Sequence, residues 1–412
     1  MPNPQEPSRG RRRGSTPDIS ERLVALGREL PPIPERLLLA HAHGEVLFIA
    51  GAGISQPAGL PDFRSLVVEV YKKLDPSVHE TISSIPRSAC NQWNANTAHL
   101  TYQQAAEVRR FEAGDYDVVL GMLERRMDGV ADTPSSVRQI IAAVLRESHK
   151  PAALHRALMS LSNRGSATAI ITTNFDRLLE KAAISSSPPV QTYVLGGIPR
   201  PSKRSDFSGI LHIHGAVDPR PDRTSDFIVS DQDFGEFYLR RRTVADFVYD
   251  AARLFHLVMV GYSANDPPMR YLLNAIAADT SRFDDLKERF VFVGNGAPNP
   301  IALEDWRGRG ITPLYYDSRD EHAALLRVLQ RWAVLSAING KMGAVEKELT
   351  RIVRETRANA SEVDRDLFDH LVRRCNPSER VSLAALVSKR GADLGWLDAL
   401  SRIAAEAERR RS

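Results

Sequence analysis

The sequence has few cysteines, no long apolar run and little net charge. Cys90 and Cys375 are its two cysteines among 412 residues, which excludes a disulfide framework and any metal site built from four cysteines. No apolar run approaches the roughly 18 residues that a membrane span requires, so we expect no membrane attachment. The formal net charge of +4 indicates no particular partner from bulk electrostatics. So few cysteines suit a reducing compartment, and we expect a cytoplasmic protein.

The two ends of the chain differ in composition from its middle. Residues 1–18 are rich in Pro, Arg, Ser and Gly, a composition that predicts a disordered basic tail. No apolar segment follows its basic run at 11–13, so we do not expect a secretory signal. One short basic run is weak support for direct nucleic-acid binding and is more typical of a solvated arm. Residues 341–412 are helical and charge-rich without a chemical motif, and we expect a helical appendage for oligomerisation or partner binding.

The stretch that organises the chain is a short apolar run followed by a glycine-rich loop. Residues 46–50 are long enough for a buried strand and too short for a helix. Gly51, Gly53 and Gly59 follow, and apolar residues at helical spacing begin at Leu66. Glycine lets backbone N–H groups approach a ligand closely. Strand, glycine loop and helix together form the geometry that holds a dinucleotide pyrophosphate at a helix N-terminus.

Further apolar runs each stop at a polar or glycine-rich loop. Strands are predicted at 169–172, 210–213, 257–260, 290–293 and 312–316, and helical patterns separate most of them. This alternation predicts an α/β fold with a Rossmann-like, doubly wound parallel sheet. Ligands of such sheets bind outside the carboxyl ends of the strands, so the polar residues at those ends are the candidate site.

Two regions of the chain are predicted to be helical around the first strand. Residues 19–30 and 34–42 look like two helices separated by a Pro-Pro pair. Residues 75–161 lack strand character and read as several helices with polar breaks, which predicts an inserted helical module. The predicted organisation is a disordered tail at 1–18, a nucleotide-binding catalytic domain at 19–340 with its insertion at about 75–161, and the helical region at 341–412.

The loop after the first strand departs from the ordinary dinucleotide fingerprint. Gln56 stands where a third glycine is required, and the string AGLPDFR follows at 58–64. GAGIS followed closely by AGLPDFR resembles the NAD-binding signature of the sirtuin family. Binding to NAD is then implied for Gly51, Ala52, Gly53, Ile54, Asp62, Phe63 and Arg64.

Motifs at the later strand ends extend this resemblance in the family's order. The resemblance covers residues 44–317, apart from the inserted segments. The string TNFD at 173–176 resembles the family's Gln-Asn-Ile-Asp box, although Thr173 replaces a carboxamide that lies near the nicotinamide ribose. His214 with the glycine after it resembles the catalytic His-Gly pair. Gly261 and Ser263 resemble a Gly-Thr-Ser loop on the adenosine side, and Asn295 resembles an asparagine at the adenine ribose. The implied catalytic residues are Asn174, Asp176 and His214, and further contacts to NAD are implied for Thr173, Gly261, Ser263 and Asn295.

Cleavage of the nicotinamide–ribose bond explains these residue types. The leaving group is neutral and the sugar becomes oxocarbenium-like, so the site must hold the carboxamide, exclude stray water and stabilise positive charge. Asp62 and Asp176 can accept from the carboxamide or stabilise that charge. Asn174 can orient the attacking water, and His214 can act as a base on a ribose hydroxyl because imidazole titrates near neutral pH. Phe63 can cap the vacated nicotinamide pocket.

Each of these residues also has an ordinary alternative role. Asp62 can simply cap a helix, and Asn174 and Asp176 can be turn residues. Arg64 can pair with the pyrophosphate or with a nearby carboxylate. His212 lies two positions before His214, so a His-x-His metal pair is possible. Because no third ligand cluster accompanies the pair, we expect His212 to be a core residue and predict no metal site.

The stretch from 214 to 261 contains no cysteine. Sirtuins that deacylate proteins carry a four-cysteine zinc ribbon just after the His-Gly pair, and it forms part of their acyl-lysine cleft. This departure resembles a bacterial branch of sirtuin-like proteins that hydrolyse NAD to nicotinamide and ADP-ribose in anti-phage defence. The resemblance implies an NAD+ hydrolase with a HerA-type DNA-translocating ATPase as partner, and the helical region at 341–412 predicts a homo-oligomer. The alternatives are an NAD-dependent protein deacylase or ADP-ribosyltransferase, and a non-catalytic nucleotide-sensing subunit of a defence complex.

Overall fold

A computed structural model gives the three-dimensional structure of the chain. It describes residues 22–87, 93–128, 135–146, 149–165, 167–184, 189–197, 199–200, 202–218, 220, 226–262, 267–279, 285–338 and 340–409. The tail predicted at 1–18 and the candidate Ser263 lie outside the described residues.

The described chain begins with a short antiparallel strand pair. Strand β1 (Leu23–Val24) pairs with β2 (Ile33–Pro34), and helix α1 (Glu35–Ala42) follows directly. The helix predicted at 34–42 is therefore confirmed, whereas the one predicted at 19–30 is wrong over its described residues, 22–30. The two prolines after Leu30 disfavour helical backbone before them, and strand pairing buries Val24 and Ile33 in the core.

A seven-stranded parallel sheet forms the centre of the molecule, and the predicted doubly wound α/β fold is confirmed. Its strands are β3 (Val46–Ala50), β4 (Ala169–Thr172), β5 (Thr192–Tyr193), β6 (Gly209–His212), β7 (His256–Val260), β8 (Arg289–Asn295) and β9 (Thr312–Asp317). They are ordered β5-β6-β4-β3-β7-β8-β9. From β3 the chain adds β4, then the edge strand β5, then β6 between β4 and β5, and it returns to β7 on the other side of β3. This reversal creates a crevice outside the carboxyl ends of β3 and β7, where ligands of open parallel sheets bind.

Both faces of the sheet are covered by helices, which explains why its strands are continuous apolar runs. Every residue of β3 is buried. One face packs against α1, α7 (Ala153–Ser162), α8 (Leu178–Ala182) and α13 (Ala323–Leu335). The helices on the other face are α10 (Thr243–Leu254), α11 (Pro267–Asp279) and α12 (Pro300–Gly308).

The helices that follow β3 pack around an apolar cluster of their own. This helical module consists of α2 (Phe63–Leu74), α3 (Pro76–Ser83), α4 (Tyr102–Ala113), α5 (Tyr116–Asp128) and α6 (Ser136–Arg146). Helix α7 lies within the predicted insertion, yet its Leu154 and Leu158 belong to the cluster that contains Phe48 of β3. We therefore propose that the inserted module ends before α7.

The C-terminal helices share the core of the sheet instead of standing apart from it. They are α14 (Met342–Ile352), α15 (Glu362–Arg373), α16 (Pro377–Lys389) and α17 (Leu394–Arg409). Trp396 is fully buried, packs on Phe368 at 4.5 Å between ring centroids, and belongs to the same apolar cluster as Phe48. Among the described residues, we find no helix with the length and apolar content that a membrane crossing requires.

Candidate functional site at the strand carboxyl ends

Two loops meet at the crevice, one after β3 and one after β7. Gly51 N donates to Val260 O and Gly53 N to Gly261 O, both at 2.9 Å. A Cβ on Gly51 would lie 2.5 Å from Gly261 O, and one on Gly53 would lie 2.9 Å from Gly261 Cα. Gly261 itself has a φ of 65°, a conformation that favours glycine. These glycines are therefore needed for two backbones to touch, and the N–H groups of Gly51 and Gly53 bond to protein carbonyls.

The rest of this loop delays the start of the next helix. Two short 3-10 turns, Ala52–Ile54 and Gln56–Ala58, precede α2. Ala52 is exposed, and Ile54 is buried beneath the loop. Helix α2 begins at Phe63, three residues before the apolar residues at helical spacing that predicted it.

Asp62 caps α2, which is the alternative to NAD binding that the sequence left open for this residue. Its Oδ1 accepts from Ser65 N at 2.8 Å, and its Oδ2 accepts from Arg87 Nη1 at 2.6 Å. Burial opposes ionisation of Asp62, but the bonds from Arg87 and Ser65 outweigh it and lower the pKa of the carboxyl. Asp62 is therefore an ionised helix cap.

Phe63 and Arg64 point to the helical module. The Phe63 ring meets Tyr116 edge-on, with 6.4 Å between centroids. Arg64 Nη2 donates to Ile85 O at 2.6 Å, and its guanidinium carbon lies 4.9 Å from the centroid of the Phe111 ring. In this structure Arg64 contacts a carbonyl and an aromatic face, where a pyrophosphate or a carboxylate was expected.

The end of β4 is tied to β3 and thereby positions Asn174. Thr172 Oγ1 donates to Ala50 O at 3.0 Å, and Thr173 N donates to the same oxygen at 3.1 Å. Asn174 N in turn donates to Thr172 Oγ1 at 3.0 Å. Asn174 is thus held beside the start of the glycine loop.

The side chain of Asn174 is buried, 8% exposed, and only half satisfied. Its Nδ2 donates to Gly51 O at 3.2 Å and to Ser55 Oγ at 3.0 Å. Its Oδ1 has no hydrogen-bond partner among the described residues. A buried acceptor without a partner costs free energy, and it fits a donor such as the nicotinamide carboxamide, a ribose hydroxyl or a water.

Both carboxylate oxygens of Asp176 have protein partners. Oδ1 accepts from Leu178 N at 2.9 Å, and Oδ2 accepts from Ser55 Oγ at 2.8 Å. Ser55 Oγ also lies 3.2 Å from His155 Nε2. Asp176 therefore anchors Ser55, which in turn contacts Asn174.

Sequence reasoning missed Ser55 and His155 as parts of this site. Ser55 ends the string GAGIS, so its signal was present in the motif. His155 lies on α7, inside the segment that was predicted to be an insertion, and no local pattern connects it to the glycine loop.

His214 is buried against aromatic rings that the sequence did not indicate. Its Nε2 lies 2.6 Å from Tyr238 Oη, and its ring meets Phe234 edge-on at 5.5 Å between centroids. Tyr238 is on a π-helix, Gly235–Arg240, and such turns are frequent at functional sites. Burial lowers the pKa of His214 to about 3. The expectation that this imidazole titrates near neutral pH is therefore corrected, because His214 is neutral at pH 7.

His212 holds the backbone of the neighbouring loop. Its Nδ1 donates to Asn174 O and its Nε2 pairs with Glu180 Oε1, both at 2.8 Å. Burial disfavours the charged imidazolium, but Glu180 outweighs burial and raises the pKa of His212. The described residues include no cluster of three or more His, Cys, Asp or Glu that could hold a metal ion. His212 forms a buried ion pair with Glu180 and fixes the backbone carbonyl of Asn174.

Asn295 lies on the same edge of the sheet, two strands from β3. Its Oδ1 accepts from Gly296 N at 2.9 Å, and its carbonyl accepts from Ser318 N at 3.2 Å. The side-chain oxygen of Asn295 therefore shapes its own loop.

The sheet places the two strongest candidates in neighbouring loops. Thr172 pairs with His212 in parallel register, so Asn174 and His214 each lie two residues beyond paired positions. Asn174 bonds directly to Gly51 O, and Ser55 links Asn174 to Asp176. Asp62 and Arg64 instead bond to residues of α2 and of the segment that follows α3.

Comparisons with known proteins find similarity to a domain family, to a curated protein and to a solved structure. Residues 168–314 match the SIR2-like domain family. The uncharacterized protein y4cA of Sinorhizobium fredii (strain NBRC 101917 / NGR234) is 29% identical over 382 residues, which cover 87% of this chain and 29% of the relative. This chain thus spans less than a third of that relative. A solved structure described as "Structural Basis for the Mechanism and Regulation of Sir2 Enzymes" aligns with 72% of this chain and 98% of its own length, at 13% identity and a TM-score of 0.33. The match over residues 168–314 supports a sirtuin-like family for this part of the chain.

Proposed function

We propose that this chain hydrolyses NAD+, breaking the bond between nicotinamide and ribose and releasing nicotinamide, ADP-ribose and a proton. The observation that carries the proposal is the half-satisfied amide of Asn174, buried at the carboxyl edge of the sheet. Its Nδ2 is fixed by protein acceptors, so its Oδ1 is the group left to contact substrate or water. An NAD-related function also agrees with the match to the SIR2-like domain.

The roles follow from the side chains at this edge. Asn174 Oδ1 accepts a hydrogen bond from the attacking water and so orients its lone pair toward the ribose carbon. His214 is neutral, so it can accept a hydrogen bond from a ribose hydroxyl as positive charge develops on the sugar. Asp176, on the same buried network, contributes negative charge near the oxocarbenium-like sugar.

The segment after His214 supports water as the acceptor of ADP-ribose. In this segment α9 (Asp231–Phe234), the π-helix and α10 follow one another, and their aromatic residues Phe234 and Tyr238 lie on the His214 ring. Protein-deacylating relatives are expected to carry a zinc ribbon that borders the acyl-lysine cleft here. A helical cover over His214 excludes stray water and leaves less access for a peptide.

The cellular role that we infer is NAD depletion in bacterial anti-phage defence, in the cytoplasm. An unchecked NAD hydrolase would kill its own cell, so the activity requires control. A homo-oligomer and a HerA-type DNA-translocating ATPase are the proposed means of control, on the strength of the sequence resemblance.

The test is to incubate the full chain with NAD+, alone and with the candidate ATPase, and to resolve the products by chromatography. We expect free ADP-ribose and nicotinamide in equal amounts without any acylated peptide. Asn174→Ala should reduce turnover at least about 100-fold, while circular dichroism and the melting temperature show a folded protein. Asn163→Ala, outside the strand edge, is the control and should leave turnover unchanged.

Three outcomes would contradict the proposal. Full activity of Asn174→Ala would remove the observation on which it stands. Turnover only with an acylated peptide would identify a deacylase. Tight NAD binding without turnover, alone and with the ATPase, would identify a nucleotide-sensing subunit.

A further inference from the structure

The hydroxyl of Ser55 uses its full hydrogen-bonding capacity inside the protein. It donates to Asp176 Oδ2 at 2.8 Å and accepts from Asn174 Nδ2 at 3.0 Å. A hydroxyl has one donor and two acceptor lone pairs, so a second donor can still bond to it. His155 Nε2, 3.2 Å away, is in the place of that donor.

The protonation of His155 is fixed from its other side. Ala152 N donates to His155 Nδ1 at 3.1 Å, so Nδ1 must carry a lone pair. A neutral imidazole with an unprotonated Nδ1 carries its proton on Nε2. Burial lowers the pKa of His155 and keeps the ring neutral. His155 therefore donates to Ser55, and the backbone at the start of α7 decides that it does.

This chain of bonds decides which way the Asn174 amide faces. Gly51 O can only accept, so the group facing it must be the NH2 of Asn174. Ser55 donates its proton to Asp176, and His155 donates to one of its lone pairs. The remaining lone pair of Ser55 Oγ therefore accepts from the NH2 of Asn174. A flipped amide would set Oδ1 against two acceptors, so Oδ1 is kept on the opposite side.

We propose that His155 is a positioning residue, which acts through Ser55 to hold the Asn174 amide with Oδ1 facing the reacting groups. The inference rests on the proposed hydrolysis for its kinetic consequence, but its structural part concerns the amide alone. His155 touches neither substrate nor water in this role. It connects α7 to a loop 100 residues earlier in the chain.

The kinetic test compares His155→Leu with His155→Gln. Leucine removes the donor to Ser55 and the acceptor for Ala152 N, whereas glutamine has an amide donor and a carbonyl acceptor at a similar reach. We expect His155→Leu to lower kcat by about 10- to 100-fold with KM for NAD+ changed less than about threefold. His155→Gln should recover most of kcat. Equal losses in both variants, or wild-type kcat in His155→Leu, would overturn the inference.

The matched control is His41→Leu. His41 is buried in the same core, 4% exposed, and bonds to Leu161 O at 2.9 Å, away from Asn174. It should lose stability to a similar degree and keep kcat. If His41→Leu lost kcat as strongly as His155→Leu, the effect would be a general one of core damage and the inference would fail.

A second measurement is independent of turnover. In deuterated protein with 15N-labelled asparagine, the side-chain NH2 of Asn174 is assigned by its loss in Asn174→Ala. We expect slow exchange of these protons in the wild type and in His155→Gln, and fast exchange in His155→Leu. An unchanged exchange rate in His155→Leu would overturn the inference even if NAD+ is hydrolysed. Conversely, an inactive wild type with the expected exchange pattern would contradict the proposed function and leave the positioning role standing.

Discussion

The loops after β3 and β4 start side by side, and both carry a motif that resembles the same family. Their side chains nevertheless form hydrogen bonds with different parts of the protein. The loop after β4 turns inward, where Asn174 and Asp176 join one buried network and leave a single acceptor at the site. The end of the loop after β3 and the start of α2 instead contact the helical module, where Asp62 and Arg64 bond to residues of α2 and of the chain after α3. A motif string thus predicts which loop approaches a ligand, whereas the contacts decide which of its residues can.

The largest effect should come from the junction of the two backbones. Gly51→Ala places a Cβ 2.5 Å from Gly261 O, and the neighbouring atoms are backbone that cannot move aside. We expect the free energy of unfolding to fall by about 1–3 kcal/mol, and turnover to fall as Gly51 O shifts away from Asn174. Urea unfolding measures the first and product formation the second. The control is Gly343→Ala, where no atom crowds the added Cβ, and a wild-type result at Gly51 would show that the loops do not meet this closely.

Acid should destabilise the fold through two buried histidines. Burial lowers the pKa of His41 to about 4 and that of His214 to about 3, and both titrate near 6.5 when unfolded. Their depressed pKa values mean that stability is complete above about pH 6.5 and falls as the pH drops toward the folded values. At pH 5 each neutral histidine should cost about 2 kcal/mol of the free energy of unfolding.

The ion pair of His212 and Glu180 should give the opposite pH dependence of stability from that of His41 and His214. The pKa of His212 is raised, so its contribution is complete below about pH 6.5 and is lost as the pH rises through the folded value. Urea unfolding from pH 5 to 9 separates the two groups: His41→Gln should flatten the acid limb, and His212→Gln should flatten the alkaline limb. Identical profiles for both variants would contradict these assignments.

Loss of the Tyr238 hydroxyl should have a smaller effect, and it tests whether the contact with His214 contributes to turnover. Tyr238→Phe removes the partner 2.6 Å from His214 Nε2 and keeps the ring that packs on it. We expect about a tenfold loss of turnover with little change in melting temperature. Tyr249→Phe, which removes the hydroxyl bonded to Asp279, is the control. Wild-type turnover in Tyr238→Phe would show that His214 needs no partner there.

The smallest effect should come from Arg64. Arg64→Ala removes one hydrogen bond to Ile85 O and a contact with the Phe111 ring, worth about 1 kcal/mol of stability. If Arg64 serves the helical module, KM for NAD+ should change less than about threefold. Arg177→Ala, which likewise removes a bond to a carbonyl, that of Val217, is the matched variant in the other loop. A rise in KM of tenfold or more in Arg64→Ala alone would restore the pyrophosphate as its partner.

The sequence by itself determined the sheet and the loops that border the site. The runs at 46–50 and 169–172 became β3 and β4 at those bounds, because a short apolar stretch between turn residues has few other ways to be buried. It also pointed to Asn174 and His214, since a parallel sheet brings all carboxyl ends to one edge.

Only the tertiary structure decided how those residues are used. Over residues 22–30, the described part of the helix expected at 19–30, the structure has no helix, and strand pairing there buries Val24 against Ile33. Ser55, His155 and Tyr238 entered the site through contacts between residues far apart in the chain, which no local period or spacing encodes. The pKa of His214 follows from its burial, and burial depends on every element that packs around a side chain.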